Sequence, residues 1–231
     1  MAKRTPAPPR FGAAPEPKRP WWWKQALALV LAFALGGVLF GGGGYLIGRP
    51  SSEQRQIDQI RQADAARDKA QVADLTKLAR TTSDQLLPVL TRMSTALPVD
   101  PAKPPQPATA AEVTGWQQVV DTAAKSFADP PSGSTATNVA RGSLTAAVRQ
   151  FGTAVRTYAL SLTADPTTSQ QLRDLAGKER INAVTTWSVA GTQLDQVNID
   201  AGYGHQHVFL PADPGSGAFT SDGAPEGTQP K

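Results

Sequence analysis

His205 and His207 are the only histidines in the chain, spaced H-x-H within Gly-Tyr-Gly-His-Gln-His-Val. On an extended backbone alternate side chains face the same way, so both imidazoles could be offered to one ligand. A metal centre needs further donors. Asp200 and Asp213 are close in sequence, but no spacing rule places them in the same shell, and a structural zinc site usually has four protein ligands, mostly nitrogen or sulfur. The segment is therefore read as polar and mobile or docked on a surface, and no metal ligand is assigned.

Other chemistry finds less support. There are no cysteines, which excludes disulfides, thiolate zinc sites and a cysteine nucleophile. Serine, aspartate and histidine occur without a G-x-S-x-G nucleophile elbow. Gly133, Gly142 and Gly152 stand too far apart to cradle a phosphate, and no Walker-type lysine follows a glycine cluster. Trp116 and Trp187 fall at core-facing positions, where packing explains them better than ligand stacking. No catalytic or cofactor-binding residue is assigned, and the expectation is a protein that is not an enzyme.

The elements around these residues are more informative. Ala26 to Ile47 is an uncharged, largely apolar run, preceded by Trp21-Trp22-Trp23-Lys24 and followed by Arg49-Pro50. At ~1.5 Å per helical residue it matches the ~30 Å hydrocarbon core of a bilayer, predicting a transmembrane signal-anchor over 21–48. Lys3, Arg4, Arg10, Lys18, Arg19 and Lys24 face one acid, Glu16, on its N-terminal side. Basic flanks mark the cytoplasmic face, so the N-terminus is expected inside and everything beyond Arg49 outside. The tryptophans suit the inner aromatic belt, and Tyr45 the outer one. A cleaved signal peptide competes, through Ala32-Phe33-Ala34, but cutting there would leave Leu35 to Ile47 as an apolar new terminus.

Within the run, Ala34, Gly37, Gly41, Gly44 and Gly48 recur at three- and four-residue steps and so line one side of a helix. Small residues let helix backbones approach in lipid, which predicts self-association through this face. The competing explanation is that glycine is simply tolerated in membrane helices.

Charge agrees with a tether. The net charge is +4, yet the segment Met1 to Lys24 alone carries an excess of basic residues larger than that. The remainder is nearly neutral and lacks the basic stripe that a phosphate backbone requires, so nucleic acid is not an expected partner. The basic tail would instead meet anionic inner-leaflet lipid.

Five regions follow. Residues 1–20, with Pro6, Pro8, Pro9, Pro15, Pro17 and Pro20, read as a disordered cytoplasmic tail; Pro6 and Pro9 form a PxxP best explained as spacer. After the span, 49–71 is a polar helical stalk with interleaved acids and arginines, whose Ile57 and Ile60 could pair weakly with a partner helix. The bundle occupies 72–202. Its first seam runs Val72, Leu75, Ala79, Thr82, Leu86, Val89, Met93 and Ala96, in a helix from Ser51 to about Leu97 that Pro88 should kink or end early. A proline linker, 98–107, precedes a helix over Ala108 to Ala128 with Val113, Trp116, Val120, Ala123 and Phe127 on one face. A third, Thr135 to Thr163, carries Leu144, Val148, Phe151, Val155, Tyr158 and Leu162. A fourth, Thr167 to Asp200, carries Leu172, Leu175, Ile181, Val184, Trp187, Gly191, Leu194 and Val197. Residues 203–231, rich in Gly, Pro and Ser, read as a disordered tail, with a strand conceivable only at His207 to Leu210.

The fold class expected is all-α: an N-terminal transmembrane helix, a stalk, and a three- to four-helix extracytoplasmic bundle between disordered termini. The function expected is that of a single-pass bacterial envelope protein whose outer helices bind a protein partner or self-associate. The alternative is an extracytoplasmic sensor that binds a small ligand or signal.

Overall fold

The computed structural model describes residues 21–47, 51–131 and 133–230. The proline-rich tail and Gly48 lie outside them. The chain forms two units, Met1–Asp58 and Gln59–Lys231. Among the described residues there are five helices and no strand: α1 (Trp22–Ile47), α2 (Ser52–Ala96), α3 (Ala110–Lys125), α4 (Thr135–Ser161) and α5 (Pro166–Asp200).

Helix α1 has 26 residues, about 39 Å at the usual ~1.5 Å rise. Leu27, Leu29, Val30, Leu31, Phe33 and Leu35 are all exposed on it. Among the described residues, no helix is long and apolar enough to cross a membrane. The side chains of α1 are described only as far as Gly37, a stretch shorter than the ~20 apolar residues a span needs. Open space surrounds the position of a Cβ at Gly37. The surroundings of Gly41, Gly44 and Gly48 fall outside the described residues.

Helix α2 is capped by Ser51, whose Oγ accepts from the Gln54 N–H at 3.0 Å. Its first turns are exposed, Ile57 and Ile60 included, as their polar composition implies. From Val72 onward all eight seam residues are buried. Of the two outcomes expected at Pro88, an early end does not occur, since the helix runs on to Ala96. The ring sits on the exposed face, where water can serve the backbone carbonyl it orphans. Leu86, Val89, Leu90 and Met93 hold both flanks in the core, so the lost bond is outweighed by packing on either side.

The 98–107 linker is fixed at its end by the Tyr158 hydroxyl, which accepts from the Ala108 N–H at 2.9 Å. Helix α3 then opens with a capping box. Thr109 accepts from the Glu112 N–H, and the Glu112 side chain returns to the Thr109 N–H. Arg92 on α2 bonds the same carboxylate at 2.9 Å, joining the two helices. The helix is shorter than the expected Ala108 to Ala128, ending at Lys125, although Phe127 remains buried in the turn beyond it. Helix α4 starts at Thr135 on the Ser134 cap, and its seam is buried from Leu144 to Tyr158, with Leu162 partly so.

Helix α5 begins on Asp165, whose carboxylate accepts from the Thr167 and Thr168 N–H groups, with Pro166 in the first turn where its missing N–H costs nothing. Its second half matches the expected seam from Val184 to Val197. The first half does not. Leu175 is exposed, and Ser169, Ala176 and Arg180 face inward in its place. A buried arginine cannot be read from hydrophobic periodicity, because the pattern scores it as surface.

Beyond α5 the described residues carry no helix or strand, in keeping with an irregular segment. Irregular backbone is not unpacked backbone, however. His205, Val208 and Leu210 are buried, and Tyr203 and Ala218 pack against the core. The segment folds back along α5 as a strap. Trp187 Nε1 donates to the Val208 carbonyl at 2.9 Å, the Phe219 N–H donates to Ser188 Oγ at 2.9 Å, and Asp213 pairs with Arg180 at 2.7 Å. The reading of 203–231 from its composition missed this docking because the strap holds through a few scattered side chains, polar pairs and backbone groups rather than through a sustained apolar period.

Candidate functional site

Asp195 lies in the last turns of α5, and ten residues later the chain has reversed to lay His205 against it. The reversal uses Gly202 and Gly204, both at positive φ (78° and 70°), with the Tyr203 N–H closing on the Asn198 carbonyl at 2.9 Å. Only glycine takes such angles without strain. The returning backbone then comes so close to α5 that a Cβ on Gly191 would stand 2.9 Å from the Val208 carbonyl oxygen.

Asp195 receives the strap at two points. Its Oδ1 accepts from the Gln206 N–H, and its Oδ2 lies 3.0 Å from His205 Nδ1 and 3.9 Å from His207 Nε2. The end of the chain closes over the other side. Asp222 approaches His207 Nε2 to 3.1 Å through Oδ1 and His205 Nδ1 to 3.9 Å through Oδ2. Glu226 accepts from the His207 N–H at 2.8 Å and is held in turn by Arg80 of α2 at 2.7 Å. Two backbone bonds complete the closure, from the His205 N–H to the Thr228 carbonyl and from the Gly227 N–H to the His205 carbonyl.

Both imidazoles are largely buried, at 10% and 12% side-chain exposure, whereas Asp222 is 59% exposed. The ring centroids stand 5.5 Å apart. His207 Nε2 is sequestered from solvent and makes no hydrogen bond that meets full geometric criteria, its nearest oxygen being Asp222 Oδ1 at 3.1 Å. The Asp222 carboxyl is held below its ordinary range, chiefly by the Ala224 N–H, with burial opposing and the two histidines adding attraction. One donor atom each from Asp195, His205 and His207 all lie within 4.8 Å of one another, near enough to share one cation.

The structure keeps the H-x-H pair on one side, as the extended spacing requires, but supplies different acids. Asp200 accepts from Gln196 on the α5 surface, and Asp213 is committed to Arg180. Asp195, Asp222 and Glu226 were missed in the sequence. The available signal was Gly202-x-Gly204, a helix-ending reversal that would carry His205 back past the last turns of α5. Trp116 and Trp187 are both core groups: Trp116 packs on Tyr158 with centroids 5.7 Å apart, and Trp187 is fully buried.

Comparison with protein-family models, with curated proteins and with solved structures finds no match for this chain.

Proposed function

We propose that this chain is a single-pass, membrane-anchored protein of the bacterial envelope, with its N-terminus in the cytoplasm and its helical bundle displayed outside as a non-enzymatic interaction or scaffold module. The observation that carries the reading is the row of apolar side chains exposed on α1, with Phe33 at 86% and Leu29 at 71%. Removing each such side chain from water is worth ~1.5–3 kcal/mol, and a bilayer is the medium that does so along a whole helix. The uncharged run in the sequence continues through Ile47, and the basic residues before it set the orientation. The bundle offers interaction surface rather than chemistry, since both core tryptophans are taken up by packing. Lipid at 21–48, a second copy through Ala34, Gly37, Gly41, Gly44 and Gly48, and an envelope protein are the partners this reading implies.

A sensor is favoured by one specific feature, a surface groove of about 830 Å³ between the end of α2, the proline linker and the strap, bordered by Leu90, Ser94, Val99, Lys103 and Pro211. That volume falls within the range of small-ligand sites.

The test combines membrane extraction with crosslinking. The full chain should resist alkaline extraction from membranes, while a chain lacking 21–48 should be released. A photo-crosslinking residue at exposed Leu160 should give a discrete protein adduct in the native host. Release of the intact chain by alkali would overturn the anchor, and absence of any adduct from Leu160 or from exposed Val139 and Val189 would overturn the interaction module.

A further inference from the structure

We infer that Asp195, His205, His207 and Asp222 form a binding site for a divalent first-row transition metal, with Zn²⁺ the species that fits best. Four side chains from three stretches of chain converge: one donor atom each from Asp195, His205 and His207 lie within 4.8 Å of one another, and Asp222 borders them, with Oδ1 3.1 Å from His207 Nε2 and Oδ2 3.9 Å from His205 Nδ1. Tetrahedral zinc with bonds of ~2.0–2.2 Å sets its ligand atoms about 3.3 Å apart, so the cluster already stands near the required spacing. Two imidazoles favour zinc, copper, nickel or iron over magnesium or calcium, which prefer all-oxygen shells.

The buried Nε2 of His207, which meets only carboxylate oxygens and satisfies no hydrogen bond of full geometry, is the independent sign of a ligand. A sequestered ring nitrogen normally finds a hydrogen-bond partner, and this one has carboxylate oxygens around it at coordination spacing instead. Bringing two carboxylates to two largely buried imidazoles also concentrates negative charge that a cation would neutralise. Ligation through Nδ1 uses the neutral tautomer of His205 whose single ring proton sits on Nε2, so the metal occupies the place between Nδ1 and Asp195 that a proton would otherwise take. Surrounding groups hold the ligands in aim: the Gln206 N–H fixes Asp195, the Ala224 N–H fixes Asp222, and Glu226 anchors the His207 backbone. Such outer contacts are what orient first-sphere ligands in known centres. Because the ligands come from α5, the strap and the final turn, the ion would staple the C-terminal segment to the bundle, and its binding energy would add to the stability of that docking.

The experiment takes the purified full-length chain, stripped with chelator, and titrates it with Zn²⁺ and separately with Mg²⁺. Bound metal is measured by elemental analysis after dialysis, and stability by thermal melting. Zinc should bind at one equivalent and raise the melting temperature, with no effect of magnesium. Co²⁺ in place of zinc should show the intense ligand-field absorption of a tetrahedral site. Outer-sphere changes alone cost ~10–100-fold in affinity, so His207→Ala and Asp195→Asn should each cost about 100-fold or more. Asp222→Asn, at an exposed position that the fold tolerates, should also weaken zinc binding and guards against misfolding of the buried variants. Zinc bound equally by these variants and by the unmodified chain, zinc without effect on melting, or magnesium bound as tightly as zinc would each overturn the site.

Discussion

Replacing Asp213 with alanine should be among the most damaging single changes available at the protein surface. Its carboxylate is 23% exposed, but it neutralises Arg180, whose side chain is only 2% exposed, through a 2.7 Å contact. With Asp213 gone, the guanidinium keeps Ser94 Oγ at 2.7 Å and a long 3.5 Å contact to the Leu97 carbonyl, and no counter-charge. Stranding a buried charge in this way costs ~3–5 kcal/mol. Water reaching the site from the Asp213 side argues for the lower end, about 3 kcal/mol. For the Gln59–Lys231 unit, roughly 170 residues at ~2.1 cal/mol/K each, this lowers the melting temperature by about 8 °C. Urea denaturation followed by circular dichroism measures the same quantity as a midpoint shift. Combining Asp213→Ala with Arg180→Met should recover most of the loss, since an apolar pair replaces the ion pair without leaving an unpaired charge. A cost below about 1 kcal/mol for Asp213→Ala, or a double variant no better than the single, would refute the view that this pair anchors the strap.

Gly204→Ala should destabilise by more than the ~1 kcal/mol usual for φ > 0 positions, because a Cβ there would also run into the backbone of Gly227 and Thr228; accelerated proteolysis of the last thirty or so residues would report it. Trp187→Phe removes a buried donor and orphans the Val208 carbonyl, so a loss of about 1–3 kcal/mol is expected in denaturant titrations, against little change for a like substitution at exposed Trp22. Glu112 has its pKa lowered from 4.5 to about 2, first by the Thr109 N–H and then by Arg92. A depressed folded-state pKa gives stability that is present above about 4.5 and lost as pH falls through about 2, so Glu112→Gln should flatten the acid limb of the melting profile across that window. Gly41→Leu should abolish self-association of the span in a membrane association assay, while Leu39→Ala leaves it intact.

The helices were legible wherever burial was carried by side chains of ordinary type. Val72 to Ala96, Val113 to Phe127 and Leu144 to Tyr158 repeat with helical period and are buried in that order. Sequence failed where polar groups do the packing. Arg180 is buried because Asp213 and Ser94 meet it from chain positions far away, a fact no local window contains. The strap escaped notice for the same reason, since its grip on α5 runs through the Val208 carbonyl, the Phe219 N–H and the polar pairs Asp213–Arg180 and His205–Asp195. The histidine pair was visible and its acids were not. Asp195 looks like any surface acid on a helix until the Gly202 and Gly204 reversal lays His205 beside it.

The central claim, a bundle displayed outside on a membrane anchor, can be tested most directly by cysteine accessibility. The chain has no cysteine of its own, so a single one can be introduced without background. Gln171→Cys lies on the exposed face of α5, and Thr5→Cys lies before the apolar run. On intact cells stripped of any outer membrane, a membrane-impermeant maleimide should label Gln171→Cys at once and Thr5→Cys only after lysis. Labelling of Thr5→Cys in intact cells, or protection of Gln171→Cys until lysis, would contradict the account.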